Sequence, residues 1–168
     1  MGTPIQVYLI RHGIAAERGD AFPDDTKRPL TSQGVARLRS MARALNMLEV
    51  GFDQILTSPL VRAKQTADVL AKGLQTAPPI AMCPPLAPGG KYTAIVDELS
   101  KHARRARIAL IGHEPDLGVL ASKLLGARGH VEFRKGAICR IDFDTLPPTG
   151  PGHLIWFLPP KVLRRVKR

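Results

Sequence analysis

The feature that most constrains this chain is the run Val7-Tyr8-Leu9-Ile10, which stops abruptly at Arg11-His12-Gly13. A continuous run of β-branched and bulky apolar residues suits a strand covered on both faces, as in a parallel sheet. Such a strand delivers its next residues to the carboxyl edge of the sheet, where open α/β folds bind ligands. Gly13 would let the backbone turn sharply there and let a small charged group approach it. Arg11 and His12 would then face that group. A neutral imidazole is a nucleophile near neutral pH, and a guanidinium can grip two oxygens of one phosphate. Arg-His-Gly by itself also occurs by chance, so its meaning depends on the segments that follow.

The same pattern returns later in the chain. An apolar strand over 108–111 ends at Gly112-His113, and Glu114-Pro115-Asp116 opens a helix carrying Leu117, Leu120, Ala121, Leu124 and Leu125. Two strands ending this way could bring His12 and His113 to one edge of one sheet; a helix-capping role is the alternative for His113. Residues 14–29, rich in Asp, Gly and Pro, read as a loop over the strand edge, with Glu17, Asp20, Asp24 and Asp25 as its acids. Thr31 or Ser32 can cap a helix whose Val35, Leu38, Met41, Ala42, Leu45 and Leu48 recur at three- and four-residue spacing. A short strand over 52–56 follows, then Thr57-Ser58-Pro59 starts the next helix. Arg62 falls on that helix's first turn, where unpaired N–H groups favour an anion, although spacing alone fits a surface arginine equally well.

The rest of the chain supplies framework. Residues 76–90 are dense in Pro and Gly, with a strand candidate over 80–83, and 92–102 reads as a helix. Segments 131–133 and 137–143 read as strand or hairpin, and 153–158 as a last strand before Pro159-Pro160 breaks into a basic tail. The expected organisation is one domain over 1–158, large enough to bury a core unaided, with 159–168 as the tail. Cys83 and Cys139 share no metal-ligand or disulfide-framework spacing and read as buried apolar residues; no metal is expected. Lys and Arg number 25 against 14 Asp and Glu, a formal charge of +11 that favours anionic partners. Aromatics at 5%, dispersed basic residues and no recognisable nucleic-acid motif argue against nucleic acid. No apolar run approaches the roughly 18 residues of a membrane span, and no leader pattern opens the chain. A cytoplasmic protein with no membrane partner is the expectation.

Taken in order, Leu9-Ile10-Arg11-His12-Gly13, Arg28-Pro29-Leu30-Thr31 with Gly34, Ser58-Pro59-Leu60-Val61-Arg62-Ala63 with Gln65-Thr66-Ala67, and Ile111-Gly112-His113 resemble the histidine phosphatase superfamily, the phosphoglycerate mutase-like proteins. The small size and few insertions resemble its phosphohistidine phosphatase branch, the SixA type. The resemblance implies a three-layer α/β/α fold around a mostly parallel sheet. It further implies that His12 is the nucleophile that becomes phosphorylated, and that Arg11, Arg62 and His113, with Gly13 beside them, bind the phosphoryl oxygens. No cofactor is implied. The partner would be a phosphorylated protein or a small phosphate-containing anion.

One departure from the family pattern matters. Many members carry a glutamate that protonates an alkoxide leaving group, in the segment that here reads Leu86-Ala87-Pro88-Gly89-Gly90, and no carboxylate stands there. Imidazole is a better leaving group than an alcohol and needs less acid assistance. Glu17, Asp20, Asp24, Asp25 and Glu114 are the candidate proton donors, with helix capping the competing role for Glu114. The leading expectation is a metal-independent phosphatase of protein phosphohistidine. The alternatives are hydrolysis of small phosphate esters or of anhydrides such as pyrophosphate and polyphosphate, and a phospho-binding module without turnover.

Overall fold

In the computed structural model, which describes residues 2–166, the opening apolar run lies in β1 (Ile5–Arg11), inside a six-stranded sheet. The other strands are β2 (Gln54–Thr57), β3 (Ile80–Met82), β4 (Arg107–Gly112), β5 (Ile138–Phe143) and β6 (His153–Leu158). They lie in the order β3-β2-β4-β1-β5-β6. The first four of that order run parallel, while β5 is antiparallel to both its neighbours. The sheet is therefore mostly parallel, as expected. Among the described residues the helices are α1 (Ser32–Met47), α2 (Val61–Gly73), α3 (Tyr92–Ser100), α4 (Asp116–Leu124) and the short α5 (Pro160–Leu163).

Successive residues of β1 point to opposite faces, and each face has its own cover. Val7 and Leu9 pack with Ile95 and Leu99 of α3 and Leu117, Leu120 and Leu124 of α4. Tyr8 and Ile10 pack with Leu38 and Leu45 of α1, Ala63 and Leu70 of α2, and Leu163 of α5. This gives the three layers. Cys83 and Cys139 are free and buried among apolar neighbours, with burial raising both thiols, to about 11 and about 12.

Several boundaries differ from the sequence expectation for local reasons. Thr57 closes β2, and α2 begins only at Val61, because Ser58 is still held to the sheet by its N–H on the Ile111 carbonyl. The 92–102 helix ends at Ser100, where Lys101, His102 and Ala103 close tighter three-residue turns onto Glu98, Leu99 and Ser100. Residues 131–133 are not a strand. The Phe133 N–H donates to Glu114 Oε1 and its carbonyl accepts from Arg11 Nη1, so side chains take the partners a sheet ladder would need. Its ring, fully buried beside Phe157, gives the segment the apolar look that suggested a strand.

The C-terminal segment does not simply trail from the domain. Leu163 is 1% exposed and joins the α1 side of the core, while its neighbour Val162 is 48% exposed. The last two residues of the expected tail, 167–168, lie outside the described residues.

Candidate active site

Three adjacent strands end at one place. The register pairs Arg11 with Gly112 across β1 and β4, the His12 N–H donates to the Gly112 carbonyl at 3.2 Å, and Ser58 follows β2 on the far side of β4. Parallel strands ending level in this way deliver His12, His113 and Ser58 to one carboxyl edge. The rings of His12 and His113 lie 5.0 Å apart, centroid to centroid. A cleft of about 530 Å³ opens over them, lined also by Arg11, Arg62, Arg28, Arg18, Lys135, Glu17 and Glu114.

The orientation of His12 is fixed on both sides. Its Nδ1 lies 2.7 Å from the Gly13 carbonyl, which can only accept, so Nδ1 carries the proton. The Arg62 Nε–H donates to Nε2 at 3.3 Å, so Nε2 is the unprotonated nitrogen. Burial is the main cause that pushes this imidazole down to about 3, and His113, Arg62 and Arg11 push the same way against the Gly13 hydrogen bond. The neighbouring cations thus help keep His12 neutral, but desolvation is the larger effect. His113 is held down to about 4, again chiefly by burial and then by Arg62. Its Nε2 is 2.7 Å from Ser58 Oγ, and its buried Nδ1 has no protein partner among the described residues.

Gly13 serves the site differently from the expected sharp turn. Its φ lies outside the left-handed region, and an added Cβ would press on Leu38 of α1, whose Cδ1 would sit 2.8 Å away and would have to shift. Its N–H donates to Thr66 Oγ1 and its carbonyl accepts from His12, so both backbone groups are engaged inside the protein. Thr66 in turn donates to the Arg62 carbonyl, which ties the first turn of α2 to the end of β1.

Arg62 is only 2% exposed and its Nε lies 3.3 Å from His12 Nε2, so it is not a surface arginine. Its Nη1 donates to the Asp25 carbonyl at 2.8 Å and its Nη2 to Asp25 Oδ2 at 3.0 Å. Asp25 also accepts from Arg28 Nε at 3.0 Å and pairs with Arg18 at 3.2 Å. Burial raises the Asp25 carboxyl, but Arg62 and Arg28 outweigh it and hold the group below its ordinary value. Arg11 donates to the Phe133 carbonyl at 2.7 Å, and its buried Nε has no partner among the described residues.

The remaining candidate acids separate. Glu17 and Glu114 line the cleft, whereas Asp20 and Asp24 do not; Asp24 caps the short turn at 25–27. Glu114 caps no helix: its two oxygens take the Phe133 N–H and His130 Nε2, each at 3.0 Å, so it anchors the 130–133 segment. In the segment where the family's usual acid would stand, the Gly89 N–H is held by Asp116 Oδ2. Ser58, Thr66 and Arg28 have site roles that spacing did not reveal, and Asp25 has one other than proton donation. Ser58, Thr66 and Arg28 lie within the motif segments, where their presence without an evident packing reason was the available signal.

Comparison with known proteins agrees with this geometry. The sequence model of the histidine phosphatase superfamily (branch 1) matches residues 7–87. Phosphohistidine phosphatase SixA of Escherichia coli is 31% identical over 165 residues, covering 97% of this chain and 99% of that protein. The chain belongs to the histidine phosphatase superfamily. Within it the chain is of the SixA type, and with membership comes phosphatase chemistry as the activity class. An uncharacterised protein of Picosynechococcus is 41% identical over 138 residues, covering 80% of this chain and 82% of that one. The solved structure of protein histidine phosphatase SixA complexed with tungstate superposes with a TM-score of 0.83 at 29% identity, covering 94% of this chain and 98% of its own.

Proposed function

We propose that this histidine phosphatase hydrolyses phosphohistidine in proteins through a phosphoryl group carried transiently on His12. The observation that carries the reading is the fixed tautomer of His12, with Nδ1–H on the Gly13 carbonyl and the unprotonated Nε2 beside Arg62 at a cationic cleft. In the first step Nε2 bonds to phosphorus as the phosphorus–nitrogen bond of the substrate breaks, and the substrate imidazole, protonated from solvent at its other ring nitrogen, departs as the neutral ring. The Gly13 carbonyl accepts from Nδ1–H and so stabilises the positive charge that grows on the attacking ring. Water then attacks phosphorus, the bond to Nε2 breaks, and inorganic phosphate leaves.

Arg11, Arg62 and His113 surround the transferring group in this reading. A loose phosphoryl-transfer transition state spreads charge over its equatorial oxygens, and prepositioned donors stabilise it without reorganising. Arg11 and His113 both line the cleft, and Arg11 Nε and His113 Nδ1 have no partner among the described residues. A SixA structure complexed with tungstate, a phosphate-like oxyanion, supports an oxyanion site in this fold. The nucleophile and the positive charge both come from side chains, so the reading requires no metal ion. Glu17, which lines the cleft, keeps ester hydrolysis open as a second reading, since a carboxyl there could protonate an alkoxide.

The test is phosphate release in the presence of chelator from a phosphohistidine peptide and from generic phosphomonoesters, side by side. Release from phosphohistidine that is lost in His12→Ala, together with loss of a trapped phosphoryl label, is the expected result. Faster release from an ester would favour the second reading, and release that survives His12→Ala would overturn both.

A further inference from the structure

Beside the catalytic cleft lies a second, larger depression that phosphoryl transfer does not use. It measures about 840 Å³ and runs between α1, the 132–135 segment and α5. Its walls carry Arg37, Arg134, Lys135, Lys161 and Arg164, and Glu132 is the one acid among the lining residues. None of these five cations forms an ion pair among the described residues. Arg11 and Lys135 line both this trench and the cleft, so the two adjoin. The basic wall on the C-terminal side is built, not incidental: burial of Leu163 seats α5 so that Lys161 and Arg164, three residues apart, line the trench together.

We propose that this trench docks an acidic stretch of the phosphorylated protein, next to the phosphohistidine held in the cleft. The inference rests on the phosphohistidine reading above and adds the substrate feature that the protein selects. Unpaired like charges crowded into a concave wall raise the local potential and attract a complementary surface. Ile14, Pro159 and Pro160 also line the trench. Acidic side chains on a polypeptide present methylene stems to such surfaces and carboxylates to the cations, whereas a bare polyanion would leave the apolar patches unused.

Two phosphoramidate-phosphorylated histidine peptides test this, one flanked by glutamates and one by serines, assayed at low and high salt. The wild-type protein should favour the glutamate-flanked peptide in kcat/KM by about tenfold at low salt, with the advantage shrinking as salt rises. The triple variant Arg37→Glu, Lys161→Glu, Arg164→Glu should lose that advantage through KM while turning over the serine-flanked peptide as before. All three positions are exposed and outside the cleft lining, and circular dichroism checks that the variant is folded. A wild-type protein indifferent to the flanks, or a preference that survives in the variant, would overturn the docking proposal alone. Sodium polyphosphate hydrolysed through the trench, with peptide flanks irrelevant, would overturn it in favour of a polyanion site. No release from either peptide by the wild type would remove the phosphohistidine reading itself, and the docking proposal with it.

Discussion

His12 at about 3 and His113 at about 4 stand far below the roughly 6.5 of a free imidazole, and the shift acts on both activity and stability. The attacking lone pair stays available through neutral and weakly acidic pH, so the acid limb of kcat/KM should lie below pH 5, not near the ordinary histidine value. For stability the sign runs the other way from an ion-paired histidine. Between pH 6.5 and about 4 the unfolded chain binds protons at both positions and the native protein does not, so stability falls as pH falls through that window. Each group contributes a slope of up to about 1.4 kcal/mol per pH unit there. Below the native values both states are protonated and the loss levels off. Urea midpoints from pH 7 to pH 4 should therefore fall less steeply for His113→Asn than for the wild-type protein. Equal slopes would mean that His113 titrates normally in the folded chain.

At the scale of elements, the loop over the site and α1 are joined through a contact too close for any side chain. Thr31 caps α1 by accepting from the Gly34 N–H at 2.9 Å, and its own N–H donates to the Ile14 carbonyl. A Cβ at Gly34 would stand 2.2 Å from the Ile14 carbonyl oxygen, which is backbone and cannot swing aside. Gly34→Ala should therefore cost about 1–3 kcal/mol by overpacking. It should also lower kcat, because the displaced loop carries the Asp25 that orients Arg62. Gly150→Ala, with nothing within 4 Å, is the control, and matching melting temperatures for the two variants would refute the contact. The same region shows where sequence legibility ends. The ends of β1 and β4 were readable because an apolar run stopping at a histidine beside a glycine is a local signal. The Asp25–Arg62 pairing spans 37 residues, and no periodicity reports it. Residues 131–133 misled because a buried Phe133 looks like a strand residue, while the Glu114 and Arg11 side chains that take its backbone polar groups are remote in sequence.

For the whole molecule, the C-terminal helix decides whether the +11 charge is merely a solvated surface or partly an organised one. A basic tail after two prolines reads locally as a fraying end, because Leu163, the one buried residue among the described residues of the tail, is a single apolar position without a period. In the fold, that residue closes the α1 face of the core together with Leu38 and Met41, and the same seating sets Lys161 and Arg164 against the trench. Leu163→Ala should cost about 2–5 kcal/mol, the range for emptying a buried leucine site. Val162→Ala, one residue away but half exposed, should stay within about 0.5 kcal/mol. Thermal melts of the two variants separate the possibilities: a tail that merely lies on the surface would respond alike to both substitutions, whereas a docked one must respond to Leu163 alone. If α5 is docked as described, Leu163→Ala should also weaken the salt dependence of turnover on an acidic phosphohistidine peptide, since the cations it positions would no longer be held together at the cleft.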